Sequence, residues 1–125
     1  MAYSNPDDLL TGSMTVSPEM ANQITDMAAS DMDAELGLKF ELPLVTDEGS
    51  STLPDAVVAI LAKCNRLIAS GRFILSRHGS VEDNLHVYGM SLLTEGQTIL
   101  ADIMSGAIPL RGIKVEGPQG IGDDG

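Results

Sequence analysis

The chain has 125 residues, a net charge of −11 and 43% hydrophobic content, yet only 3% aromatic residues and no tryptophan. That length supports one domain with an aliphatic core, which suits helix packing better than a sandwich or barrel rich in β-branched and aromatic residues. The acidic balance does not favour a surface built to wrap nucleic acid, which needs a basic footprint, and the single cysteine, Cys64, excludes an internal disulfide framework.

The first element is announced by "SNPDDLL". Asn5 can cap it, Pro6 fits the first helical position, and Asp7 and Asp8 meet the positive end of the helix dipole. Thr11-Gly12-Ser13 breaks it early. The second helix opens the same way, with Ser17 as cap, Pro18 first and Glu19 in the opening turn. Met20, Ile24, Met27 with Ala28, and Leu36 recur at helical spacing and predict its apolar face. Gly37 is the expected C-cap, in a left-handed conformation.

In "LKFELPL", Leu38, Phe40, Leu42 and Leu44 alternate with Lys39 and Glu41, which predicts an extended segment with one buried side. Pro43 argues against a central strand, and residues 45–52 read as an exposed polar loop. The longest helix is expected from Pro54 to His78. Val57, Leu61, Cys64, Ile68 and Leu75 form its stripe, and Ile60, Leu67 and Ile74 widen it. Gly71 lies on that stripe and points to a close helix crossing or a kink.

The last helix is expected to open at Ser80, with Asp83 in a weaker form of the capping box, and to end at Gly106. Leu85, Tyr88, Leu92, Ile99, Leu100 and Ile103 mark its apolar face, which Gly96 continues. A second extended segment, "AIPLRGIKV", precedes a glycine-rich tail too poor in apolar residues to order itself. The expected fold is mainly α: a small bundle with two long antiparallel helices, a shorter amphipathic helix and two extended arms, 38–45 and 107–115. The helical domain covers 1–115 and the flexible tail 116–125. The arms are free to pair with each other or with a neighbouring molecule.

Catalytic and metal motifs are sparse. Cys64 falls on an apolar stripe, where a buried core thiol is the simpler account than an activated nucleophile. His78 and His86, with Glu82 and Asp83, lack the close pairing of a zinc site. Asp31, Asp33 and Glu35 begin like a calcium loop, but positions six and twelve of that pattern are Leu36 and Leu42. The tail glycines have no following helix and no lysine, so they form no phosphate loop. The expectation is no enzyme, no cofactor and no metal.

Charge is unevenly placed. Residues 1–50 hold ten acids against Lys39, whereas residues 51–80 hold Lys63, Arg66, Arg72 and Arg77 against Asp55. Lys63, Arg66 and Arg77 project within about a sixth of the helix circumference. They form either a solvated face or a patch that meets the acidic first half of an adjacent subunit; a DNA-facing patch is weaker, because the cations are few. No charged-then-apolar leader opens the chain and no apolar run nears a membrane span. Synthesis in a reducing cytoplasm and no membrane partner are therefore expected.

Taken in order, "YSNPDDL", "AASDMDAELGLKFELPL", "LPDAVVAILAKCNRLIASGRFIL" and "YGMSLLTEGQTILADIMSGAIPL" resemble the small helical head–tail connector proteins of tailed double-stranded-DNA phages, also called adaptor or head-completion proteins. The resemblance spans about residues 3–111. Its two signatures are the acids and apolar residues before a "PL" arm, and the ending Leu100, Ile103, Gly106, Leu110. The glycine-rich tail and the very acidic first half depart from that pattern.

The resemblance implies a structural virion protein at the phage neck, made in the host cytoplasm. It would form a homo-oligomeric ring, usually a dodecamer, docked on the portal protein and serving as platform for the next neck or tail protein, a stopper or tail-completion protein. DNA would pass through the channel without specific binding. By position, Ile113 to Gly125 would contact the portal. The subunit or portal interface expected on these grounds comprises Leu38, Phe40, Leu42, Leu44, Lys63, Arg66, Arg77, Ile108, Leu110, Ile113 and Val115. The rival expectation, carried by the net charge, is a small acidic helical protein that mimics DNA or inhibits a nucleic-acid-binding protein.

Overall fold

The computed structural model describes residues 3–11, 15–77 and 84–115. The expected helix start at Ser80 with Asp83, the reading of His78, and the tail 116–125 lie outside the described residues. Within them the chain is mainly helical, as expected: α1 is Pro18–Leu36, α2 is Asp55–Arg77 and α3 is Asn84–Ser105, preceded by a 3₁₀ turn at Pro6–Asp8.

The predicted local signals form as expected at the helix starts. The Asn5 side chain accepts from the Asp7 amide at 2.9 Å, and the Ser17 hydroxyl accepts from the Met20 amide at 3.1 Å. Both satisfy a backbone donor that the helix itself leaves orphaned. At the far end of α3, Gly106 takes φ +89°, the left-handed conformation that lets the chain turn away.

Gly37 differs from expectation. Its φ is −64°, so α1 does not end in a left-handed cap but tightens through one more turn. Lys39 and Phe40 both donate their amides to the Leu36 carbonyl, at 3.0 and 2.8 Å. Leu38 therefore belongs to the helix exit, not to the extended arm.

The buried face of α1 is also rotated from the one read in the sequence. Ala21, Thr25, Ala28, Ala29, Met32 and Leu36 are buried, whereas Met27 is exposed and Met20 and Ile24 are half-buried. Small side chains let the α1 backbone lie close to α2. Thr25 satisfies its own hydroxyl on the Ala21 carbonyl at 2.7 Å, so it can be buried without a penalty for an unpaired group.

Packing of α2 against α3 is the most extensive contact of the fold, and glycines set its distance. A Cβ built on Gly71 would stand 2.7 Å from the Leu93 amide nitrogen and 2.8 Å from the Gly89 carbonyl oxygen. One on Gly96 would stand 2.7 Å from Ile68 Cγ1, and one on Gly89 2.9 Å from Ile74 Cγ2. The Gly71 approach is backbone to backbone, and those at Gly96 and Gly89 bring isoleucine side chains of α2 onto the α3 main chain. Gly71 is thus explained by a close crossing.

The two extended segments meet each other within one chain. Phe40 bridges to Val115 and Thr46 to Ile113, both antiparallel. Lys114 closes the pair, accepting from the Glu41 amide at 3.2 Å and donating to the Val45 carbonyl at 2.9 Å. Between the bridges the first segment advances six residues and the second only two, so residues 41–45 bow outward. The predicted alternation fails for two reasons: Leu38 is exposed on the helix exit, and within the bow Leu42 is exposed while Leu44 is buried, as is Phe40 before it.

Replacing Gly71 by alanine is expected to destabilise the fold by about 2–3 kcal/mol, the cost of overpacking a tight contact. Gly106→Ala, which strains a left-handed backbone without a steric clash, should cost about 1–2 kcal/mol. Urea denaturation of the two variants checks the order.

Candidate functional site

The N-terminal segment 3–11 acts as a strap across α1 and α2. Its Tyr3 hydroxyl donates to Asp33 Oδ1 on α1, its Ser4 hydroxyl to Asn65 Oδ1 at 2.7 Å, and its Leu10 amide to the Ser70 hydroxyl at 2.8 Å. Asn65 and Ser70 are fully buried on α2, and the Asn65 amide donates onward to the Thr25 carbonyl at 3.2 Å. Neither polar residue stood out in the sequence, because a lone asparagine or serine on a helix reads as surface. Their partners come from 40 to 61 residues away in the chain.

Lys39 reaches the end of α3. Its Nζ lies 3.5 and 3.4 Å from the carbonyl oxygens of Ile103 and Met104. A cation there compensates the negative end of the helix dipole, by about 0.3–1 kcal/mol. The same ammonium sits 5.5 Å from the centre of the Phe40 ring. Lys39 and Phe40 thus pin the first extended segment to α3.

The residues expected at an interface fall into three groups. Phe40, Leu44, Leu110 and Ile113 are buried in the chain's own core, and Ile108 packs half-buried against it. Leu38, Leu42 and Val115 point outward, 77%, 37% and 51% exposed. Of the bases, Lys63 pairs with Glu95 of α3 at 3.7 Å, and Arg77 lies over the Phe73 ring with a nitrogen 3.2 Å from the Met20 sulfur. Arg66 buries its Nε with no hydrogen-bond partner. Arg72 pairs with Asp31, and Lys114 with Glu41 at 3.4 Å. Such exposed pairs contribute about 0–1 kcal/mol each, so their effect is mainly to occupy the cations.

Cys64 is buried, with its thiol 3.3 Å from the Gly96 carbonyl oxygen, and burial pushes its pKa up to about 11. A thiol held protonated in this way is a poor nucleophile at neutral pH. Tyr3 is also raised from its ordinary value, chiefly by burial, then by its hydrogen bond to Asp33 and by the charge of that carboxylate. Among the described residues no group of three or more histidine, cysteine, aspartate or glutamate side chains converges to hold a metal, and no helix is long and apolar enough to cross a membrane. His86 is half-buried near the start of α3.

No family model, curated protein or solved structure matches this chain.

The Cys64 thiol ionises near pH 9.0 when unfolded and near 11 when folded, so it stabilises the fold fully below pH 9. That stabilisation is lost as pH rises from about 9 to 11. Over this window, denaturant titrations should show the parent losing on the order of 2 kcal/mol more than Cys64→Ala. Tyr3 contributes in the same direction at higher pH in both proteins, and so cancels in the difference.

Proposed function

We propose that this chain is a structural head–tail connector of a tailed phage, forming a ring at the neck between the portal protein and the next neck or tail protein. The sequence segments quoted above supply the family resemblance, and α2 and α3 fit its two long antiparallel helices. Contacts run in opposing order along them, from Leu67–Gly96 through Gly71–Leu93 to Ile74–Gly89.

The observation that carries the reading is the end of the molecule where the two extended segments meet. Lys39, Phe40 and the two bridges fasten that end to the helices, yet Leu38 and Val115 beside the Phe40–Val115 bridge remain exposed. A fixed backbone presenting uncovered aliphatic side chains is suited to docking, because little conformational freedom is lost when a partner covers it. Phe40 and Leu44 take no part in such a contact; they hold the tip in place.

Deleting residues 38–44 would remove core side chains along with the tip, so point substitutions make the better test. Leu38→Asp with Val115→Asp alters only exposed positions and should leave the melting temperature within a few degrees of the parent. Mixed with portal rings, the parent is expected to co-sediment near one copy per portal subunit, and the double variant to stay at the top of the gradient. A parent that ignores portal rings, while competing with DNA for a basic protein, would overturn the connector reading in favour of the acidic mimic.

A further inference from the structure

A cleft of about 530 Å3 opens where five segments of the chain meet: the strap, α1, the bowed part of the first extended segment, the loop before α2, and α2 itself. Its walls are aliphatic, formed by Leu42, Leu44, Leu53, Val58 and Leu61. Leu42 and Val58 are 37% and 48% exposed, so two of the chain's uncovered large hydrophobic side chains face this one place. The volume falls in the range of ordinary ligand pockets and has room for a few aliphatic side chains.

One end of the cleft is polar, and among the described residues lining it Asp33 is the sole charged one. Tyr3 occupies Oδ1 of that carboxylate, and an ionised carboxylate has further acceptor sites to offer. An anionic occupant would meet uncompensated repulsion there. A cationic one would form a charge-assisted hydrogen bond beside an apolar wall.

A second copy of this chain is a poor source of that cation. Its net charge is −11, and four of its seven bases, Lys39, Lys63, Arg72 and Lys114, are engaged within the fold. We infer that the cleft is a docking site for a segment of a different protein, one that places leucine or isoleucine side chains against Leu42 and Val58 and a lysine or arginine on Asp33.

The inference stands apart from the connector reading, since peptide binding and portal binding are measured separately and each can fail alone. The test uses the full-length 15N-labelled chain and two blocked tetrapeptides, Leu-Ile-Lys-Leu and Leu-Ile-Glu-Leu, followed by amide chemical shifts. The lysine peptide is expected to shift the amides of Asp33, Leu42, Ser51, Leu53 and Val58, and to bind about tenfold more tightly than the glutamate peptide.

Asp33→Asn, which keeps an acceptor for Tyr3, should erase the preference between the peptides. Val58→Lys, a change at an exposed position, should abolish binding of the lysine peptide without unfolding the chain. Equal binding of the two peptides, shifts confined to another surface, or hexylamine reproducing the full effect without any peptide would each overturn the inference.

Discussion

Two helix backbones in contact set the geometry to which the rest of this molecule conforms. With four aromatic residues in 125, the chain has few large side chains with which to fill space between elements. It reaches interior density by the opposite route, removing side chains where α2 crosses α3. Gly71 faces Gly89 and Leu93, and Gly96 faces Leu67 and Ile68, so main-chain atoms of one helix pack directly on the other. The same closeness brings the buried Cys64 sulfur to the Gly96 carbonyl. Once the two helices are that close, they present one continuous surface, and α1 meets it with alanines at 21, 28 and 29.

That surface has a polar interruption, and the strap exists to complete it. Asn65 and Ser70 on α2 are buried, and each buried polar group left unpaired would cost about 1–3 kcal/mol. The strap supplies the Ser4 hydroxyl and the Leu10 amide, and α1 supplies the Thr25 carbonyl. Local capping at Asn5 gives the strap a fixed shape between those two attachments. The polar residues therefore specify where the strap runs, which apolar burial alone would leave loosely defined. Tyr3 at its start then shapes the polar end of the cleft as a by-product of this anchoring.

What could be read in the sequence follows the range of the interaction responsible. Asn5, Ser17 and Gly106 act on residues two to four positions away, so their roles were legible from spacing alone. The mainly helical class was legible for the same reason. The buried face of α1 was not, because hydrophobic periodicity weights Met20, Ile24 and Met27 above alanines, and close approach to α2 favours the alanines. Leu38 and Leu42 fit an alternating strand by pattern, but the helix exit at Lys39 and the bow between the bridges are set by tertiary partners. Asn65 and Ser70 gave no signal at all. The cleft was equally invisible: its lining residues come from five segments between Tyr3 and Leu61, and none carries a motif.

The internal pairing of charge decides what the exterior can offer to another molecule. Four of seven bases are spent on the fold's own carbonyls and carboxylates, so the surface left over is more uniformly acidic than the sequence suggests. The long-range field then favours basic surfaces over DNA, with a strength that salt reduces. Charge of one sign is permissive over the whole surface, however, and does not choose a position. The two proposed contacts take their positions from aliphatic side chains left uncovered: Leu38 and Val115 at the joined extended segments, Leu42 and Val58 at the cleft. A partner at either proposed contact would have to satisfy both conditions at once, a basic field for approach and apolar side chains at matching spacing for retention. An acidic protein with few aromatics can in this way remain specific without a large hydrophobic patch.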